Sequence, residues 1–339
     1  MDPDVNRNPA ASVTELQSQA LLERAACLAA GPETGLFGPS SMTWKVSREA
    51  ALFLGAGRAA LLQLAHPWVA AALAEHSTVM DRPIARFHNT FRIIFTMVFG
   101  TLAQALAAAR HLYALHTHIQ GHMPEDVARY RQGSHYEANE VAALRWVFAT
   151  LVDSAVLAYD AVLPTLTDAA REQYYQESCR LAGLFGIPWE ALPENWEAFA
   201  EYNRQMHASD ALGVSAGARA MAHNLLAGAG SWIHPPLWYR ALTAAWLPPR
   251  FRAEFALPDG PRDRRAAERA LRWLPRIYPR LPGALRFAGP WREAQARLTG
   301  QRAGLGTRFS NRFWIGEPRL PFANATRSPE RRTPTAILK

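Results

Sequence analysis

Leucine, alanine and methionine recur at intervals of three and four residues along most of the chain, the spacing of one helix face. This period predicts helices over residues 15–30, 48–75, 84–98, 101–119, 139–162, 168–185 and 195–225. Alternating patterns of β-branched residues, which are typical of strands, are nearly absent. We therefore predict an all-α fold with a single large multi-helix domain.

The C-terminal third of the sequence has a weaker helical period. Prolines interrupt residues 236–290, which predicts a series of short helices there. From about residue 300 the chain becomes basic and loses its period, so we expect a loosely structured arm. Phe309, Phe313 and Trp314 are expected to anchor the first part of that arm. The predicted division is an N-terminal helical lead-in over 1–40, the main domain over 41–300 and the arm over 301–339.

Composition indicates a globular protein with an uneven charge. Hydrophobic residues make up 49% of the 339 residues and charged residues 19%, which is enough for a large core. From residue 250 onward, 20 basic against 7 acidic residues give +13, whereas the preceding part has 17 against 22, or −5. The basic residues are nearly all arginines without a nucleic-acid-binding motif. We expect no nucleic-acid partner, and peripheral contact with a membrane stays open.

The cysteine count and the N-terminus favour a cytoplasmic protein. Cys27 and Cys179 are too few for a disulfide framework or a cysteine-based zinc site. The first residues lack the pattern of a signal peptide. The longest apolar run, residues 51–73, contains Arg58 and His66, so we expect a buried helix there and no transmembrane segment.

His116 is the candidate ligand for a metal-containing cofactor. In a helix over 101–119, the side chain of Leu112 lies within about 60° of His116, whereas His111 and His118 lie on the opposite face. A neutral imidazole on an apolar face suits a haem pocket, which needs burial and one nitrogen donor. The alternative is an ordinary core histidine bonded to a backbone carbonyl.

Two further histidines are candidates for catalysis. His66 stands just before Pro67 inside an apolar helix, where proline removes a helical hydrogen bond and kinks the chain. His76 follows nine residues after the proline. Either histidine is a candidate general base, and the alternative for His66 is a capping role at the kink.

Arg86 and Thr90 lie four residues apart and therefore on one helix face. An arginine directed at a buried site suits an anionic group, such as a haem propionate or a carboxylate. The alternative for Arg86 is an ordinary salt bridge to an acid such as Asp81 or Glu75.

Asp153 is the candidate orienting acid. It shares a helix face with Trp146 and Thr150, and a buried acid in such a stretch needs a partner. It is suited to fixing the protonated nitrogen of a histidine. The alternative is a structural salt bridge to Arg86 or Arg145.

An ordered set of these motifs resembles the family of latex clearing proteins (rubber oxygenases) and MpaB-type oxygenases. The match covers about residues 40–250, and such an ordered set is more specific than one motif. The motifs are Leu54-Gly55-Ala56-Gly57-Arg58, Gln63-Leu64-Ala65-His66-Pro67-Trp68-Val69-Ala70, Glu75-His76-Ser77, Arg86-x-x-x-Thr90, Phe99-Gly100, His116-x-x-Ile119-x-Gly121, Tyr136-x-Ala138-Asn139, Trp146-Val147-x-Ala149-Thr150-Leu151-Val152-Asp153 and Phe185-Gly186-Ile187-Pro188.

The resemblance implies a helical domain enclosing one b-type haem. The family's ligand histidine falls on His116, and its arginine–threonine pair near the haem falls on Arg86 and Thr90. Rubber-cleaving members have a lysine next to the threonine, where this chain has Asn89, and many short members have a histidine where Phe148 stands. Both departures leave the substrate open.

The expected function is a haem-dependent oxidoreductase of the oxygenase type. It would use O₂ or peroxide to oxidise a small hydrophobic substrate, for example an alkene or a terpenoid. Sequence does not decide whether His66 or His76 is the base. Two alternatives remain, a haem protein without catalysis and a haem-free helical protein that binds a lipid-like ligand.

Overall fold

A computed structural model describes residues 12–76, 83–229 and 234–322, and for residues 83–86 its backbone alone. The described part confirms the all-α prediction, since it contains sixteen helices. They are α1 Glu15–Cys27, α2 Met42–Ser47, α3 Leu52–Leu64, α4 Pro67–His76, α5 Pro83–Phe99, α6 Leu102–His116, α7 Val141–Asp160, α8 Asp168–Leu184, α9 Trp196–Ala208, α10 Ala216–Ala227, α11 Leu237–Trp246, α12 Pro249–Glu254, α13 Pro261–Ile277, α14 Gly283–Arg286, α15 Gly289–Leu298 and α16 Leu305–Ile315.

One small antiparallel sheet interrupts the helices between α6 and α7. Strand β1, Gln120–His122, pairs with β2, His135–Glu137, so that Gly121 lies opposite Tyr136. The Tyr136 hydroxyl donates to the Glu75 carboxylate at 2.5 Å, which ties the hairpin to the end of α4. The hairpin thus joins two helices that carry candidate residues.

Polar side chains define where several helices begin. Thr14, Thr101 and Thr167 each accept a hydrogen bond from a backbone N–H in the first turn of the following helix. Ser41, Asn195 and Ser215 do the same for α2, α9 and α10. These caps satisfy donors that have no partner within the helix, and they agree with the predicted starts of α1, α6 and α8.

Helices α3 and α7 are in close contact because α3 has a glycine at the crossing point. A Cβ on Gly55 would lie 2.5 Å from the backbone oxygen of Ser154. Nearer the other end of the contact, the Trp146 indole donates to the backbone oxygen of Leu62 at 2.8 Å. Residue numbers rise along α3 as they fall along α7, so the two helices are antiparallel.

Two predicted long helices are each divided in the structure. The segment 48–75 forms α3 and α4, because Pro67 cannot donate a helical hydrogen bond and instead occupies the first position of α4. The segment 195–225 forms α9 and α10, separated by residues 209–215. In that link the Gly213 N–H donates to the oxygen of Ala65, a contact between distant segments that local periodicity does not reveal.

The expectation of a loose arm from residue 301 is wrong for the residues that form α16. This helix packs against α5, and its Trp314 ring stacks on Phe53 of α3 at a centroid distance of 3.7 Å. Arg92 also donates to the backbone oxygen of Ile315 at 3.0 Å. Among the predicted anchors Trp314 makes this contact, while Phe309 is 76% exposed. Residues 323–339 of the predicted arm lie outside the described residues.

Within the described residues, α7 has the length and apolar composition of a membrane-crossing helix. More than half of it is buried inside the fold, where it packs against α3. The buried core helix of a soluble protein can have the same length and apolar composition, so α7 is only weak evidence of a transmembrane segment. The apolar run 51–73 forms the shorter helix α3 and the start of α4.

Replacing Trp314 by alanine should destabilise the protein by about 3 kcal/mol, because the indole loses its stacking contact with Phe53. Replacing the exposed Phe309 by alanine should change the free energy of unfolding by less than about 0.5 kcal/mol. Urea unfolding of both variants measures the difference. Equal stability of the two variants would show that α16 contributes nothing to the fold.

Candidate functional site

Two of the candidate residues, His66 and His116, lie near the N-terminal end of α7. Because α3 and α7 are antiparallel, the link after α3 that contains His66 lies at this end. The C-terminal end of α6 also reaches it, because His116 interacts with the side chain of Asn139, two residues before α7 begins. Two of the predicted histidines thus lie at one end of one helix, although 50 positions separate them in the chain (116 − 66).

His116 is the last residue of α6 and is half-buried, with its Nδ1 atom enclosed by the fold. Burial lowers the pKa of His116 to about 4, and the interaction with Asn139 opposes this in part. The imidazole is therefore neutral near pH 7. Its Nδ1 atom is buried without a hydrogen-bond partner in the described structure. A buried neutral imidazole with an unpartnered nitrogen has the chemistry of an iron ligand.

His111 and His118 lie on the exposed side of the same region. His118 is exposed, and its Nδ1 donates to the backbone oxygen of Ala114 at 2.8 Å. His111 is also exposed and lies beside the Phe322 ring. The helical period correctly separated these two histidines from His116.

His66 belongs to a buried aromatic group with Trp68 and Tyr130. The Tyr130 hydroxyl lies 3.3 Å from Nε2 of His66, and the Tyr130 and Trp68 rings are 5.2 Å apart. Burial, together with the nearby positive charge of Arg129, lowers the pKa of His66 to about 3. Both Nδ1 of His66 and Nε1 of Trp68 are buried without a partner in the described structure. The ring therefore makes no capping hydrogen bond at the kink in the described structure, and one ring nitrogen is left without a partner.

His76 lies in a different environment at the exposed end of α4. Its Nε2 donates to the backbone oxygen of Gln120 at 2.9 Å, which fastens β1 to the helix. Since this nitrogen is engaged, the observed contact of His76 is structural. The geometry distinguishes the two histidines, which sequence alone did not.

Asp153 forms an ion pair with Arg58, where the sequence suggested Arg86 or Arg145 as partners. Nη2 of Arg58 lies 2.6 Å from Oδ2 of Asp153, and Arg58 is 7% exposed. Arg58 also donates to Ser154 Oγ at 2.8 Å and to the oxygen of Trp246 at 3.0 Å. His207 lies near this pair and has a pKa lowered to about 4 by burial, then by the charge of Arg58. The pair holds α3, α7 and α11 together.

Arg86 and Thr90 occupy the N-terminal half of α5. The turn at residues 100–101 makes α5 and α6 antiparallel neighbours. Arg86 lies 14 residues before Gly100 (100 − 86), and His116 lies 15 residues after Thr101 (116 − 101). In two antiparallel helices, the backbone of Arg86 therefore lies at about the same height along the helix axes as the backbone of His116. Thr90 is exposed, and the side chain of Arg86 lies outside the described residues.

Charged groups beside the two buried histidines were missed as members of the site. Glu140 caps α7 by accepting from the Ala143 N–H at 2.6 Å, and burial raises its pKa. Arg145 projects from the next turn, with its guanidinium 4.8 Å from the centre of the Tyr202 ring. The sequence pointed toward Glu140 only through the family motif Tyr136-x-Ala138-Asn139, which ends directly before it.

The described residues contain no cluster of metal-ligating side chains, and the two cavities found lie away from the candidate site. No group of three or more His, Cys, Asp or Glu side chains there is arranged to hold a metal ion. Two cavities of about 220 and 280 Å³ lie where α13 meets α11, and no candidate site residue lines them. Both are smaller than the roughly 300–1,000 Å³ that is usual for ligand pockets.

Comparison with protein families gives one match. A sequence profile described as "ER-bound oxygenase mpaB/B'/Rubber oxygenase, catalytic domain" matches residues 44–276, more than half of the chain. The match includes α3 to α7 and therefore His66, His116 and Asp153. Neither the curated proteins nor the solved structures gave a match.

Replacing Asp153 by alanine should cost about 3 kcal/mol of stability, because Arg58 then stays buried without its counterion. The matched control is Asp126→Ala, which removes an exposed partner of Arg131 and should have little effect. Chemical denaturation measures both. Unchanged stability with lost ligand binding in Asp153→Ala would instead support the predicted role in orienting a histidine.

Acid should destabilise the protein partly through His66. The folded pKa of about 3 lies below the ordinary 6.5, so the unfolded chain binds the proton first as the pH falls. The stabilising contribution is complete above pH 6.5 and decreases by about 1.4 kcal/mol per pH unit below it. His66→Gln should reduce this dependence between pH 6.5 and 5 by about 2 kcal/mol.

The matched control for this pH dependence is His118→Gln, which changes an exposed histidine and should leave it unaltered. Urea unfolding at several pH values compares the two variants with the parent protein. An unchanged slope in His66→Gln would contradict the neutral, buried state of the His66 ring.

Proposed function

The chain belongs to the family of MpaB and rubber oxygenase catalytic domains, and we propose that it is a haem-dependent oxygenase whose His116 holds the iron of one b-type haem. The observation that carries the proposal is the buried, neutral imidazole of His116 with an unpartnered Nδ1. Its position agrees with the ligand that the family resemblance implies. One imidazole is enough for haem, which brings its own four equatorial nitrogens, so the lack of a larger metal cluster among described residues is compatible with it.

A haem at this position would supply the binding and activation of O₂ or peroxide. The chain would supply the orientation of the imidazole through Asn139 and its low pKa through burial. Arg86 is placed at the level of His116 by the α5–α6 turn, and we assign it to an anionic group of the cofactor.

His66 is the better candidate than His76 for direct contact with a bound molecule. The Tyr130 hydroxyl can donate to Nε2 of His66, which places the ring proton on Nδ1, the nitrogen without a partner. This N–H can then donate a hydrogen bond to a bound substrate or oxidant, whereas the low pKa of the ring makes it a weak base. His76 has no such freedom because Nε2 is bonded to the backbone of Gln120.

The surroundings of His66 favour an apolar substrate. Trp68 and Tyr130 pack with the buried side chains of Ala71 and Met123, so this side of the ring is apolar, although the charge of Arg129 lies nearby. Such a site excludes water and orients a hydrophobic molecule by few polar contacts. We propose an alkene or terpenoid-like substrate.

The test is haem titration of purified protein, followed by absorption spectroscopy. His116→Ala should bind haem more than about a hundredfold more weakly, because loss of an iron ligand exceeds the effect of losing an outer partner. His111→Ala and His118→Ala are matched controls from the same region and should retain the parent spectrum.

Each outcome decides among the expected classes of protein. Full haem occupancy and an unshifted spectrum in His116→Ala would overturn the ligand assignment. A parent protein that takes up no haem would favour a haem-free binder of lipid-like ligands. Haem binding without oxidation of alkene or terpenoid substrates, with either O₂ or peroxide, would favour a non-catalytic haem protein.

A further inference from the structure

Helix α13 carries a stripe of five exposed arginines, which we call the arginine stripe. Its members are Arg262, Arg265, Arg269, Arg272 and Arg276. Their spacing of three, four, three and four residues keeps them within about 80° of one another around the helix. The stripe extends over about 21 Å along the axis, since fourteen residues separate its ends.

Acidic groups do not neutralise this stripe. Residues 261–280 contain seven arginines against Asp263 and Glu268, a net charge of +5 (7 − 2). In the described part of the chain no stripe arginine forms an ion pair, whereas neighbouring Arg264 pairs with Asp259. Arg265 and Arg276 bond backbone oxygens of their own helix, which leaves their charges uncompensated.

Exposed apolar side chains border the stripe on one side. Trp273 is 56% exposed and Ile277 53%, and eight residues further along the chain Leu285 of α14 is 66% exposed. The guanidinium of Arg276 lies 5.8 Å from the centre of the Trp273 ring, so cation and indole are adjacent on one surface. The opposite face of α13 is packed, because Ala267 and Ala270 are buried against α11.

We propose that the arginine stripe and its apolar border bind the surface of an anionic lipid bilayer, with α13 lying parallel to the membrane plane. Arginines spaced along the whole helix match a flat negative surface, and an adjacent indole and aliphatic side chain can enter the interfacial region. A nucleic acid would use the same charge but gives no reason to expose Ile277 and Leu285. This surface is separate from the candidate oxygenase site and does not rest on its function.

The test uses the full chain and phosphatidylcholine vesicles prepared with and without phosphatidylglycerol. We expect cosedimentation with the anionic vesicles alone, and weaker binding at high salt because counterions screen the stripe. Arg269→Gln, Arg272→Gln and Arg276→Gln combined should weaken binding on the order of a hundredfold, at about fivefold for each arginine. Glutamine preserves helix propensity, and circular dichroism verifies the fold.

The matched control neutralises three exposed arginines elsewhere, Arg110, Arg302 and Arg312, and should leave vesicle binding nearly unchanged. Trp273→Ser with Ile277→Ser should remove the part of the binding that survives high salt. An equal loss in the control variant would mean that net charge alone is responsible and would overturn the proposal. So would absence of binding to anionic vesicles, or binding to a DNA duplex without binding to vesicles.

Discussion

The contact between α3 and α7 is the constraint on which the candidate site depends. Because Gly55 has no side chain, the backbones of α3 and α7 can lie in contact at this position. The ion pair between Arg58 of α3 and Asp153 of α7 links the two helices close by. Near the other end, Trp146 bonds the backbone of α3 and Gln63 bonds Thr150. Because these bonds fix the register, the residue that follows α3 is held beside the first turn of α7. This places His66 near the segment that contacts His116.

Local periodicity was sufficient to predict most of the helices but not their exact breaks or partners. Apolar spacing and polar caps are properties of a single segment, which is why α1, α5, α6 and α8 were predicted closely. The partner of Asp153 lies 95 positions away on another helix (153 − 58), so no local pattern indicates it. His116 was predicted from its helix face together with the family resemblance, whereas Tyr130 and Glu140 lie at the candidate site through tertiary contacts that no local pattern indicates.

Helix α16 shows why an apolar stripe does not by itself identify the buried face. Leu305, Phe309 and Phe313 recur every four residues and would be expected to face inward, yet all three are exposed. The inward contacts come from Trp314, which stacks on Phe53 of α3, and from Ile315, whose side chain is buried and whose backbone oxygen accepts from Arg92 of α5. The orientation of α16 therefore depends on the surface that α3 and α5 present to it, including the flat ring of Phe53.

Buried polar groups without a partner occur in several parts of the described structure, and three of them are ring nitrogens of the candidate site. Arg58 satisfies its charge with three partners, so this fold is able to bury an arginine at little cost. At the N-terminal end of α7, in contrast, His66, His116 and Trp68 each bury a ring nitrogen without a partner in the described structure. Each such group costs about 1–3 kcal/mol. A bound group that completed their hydrogen bonds or ligation, as proposed for His116, would remove this cost.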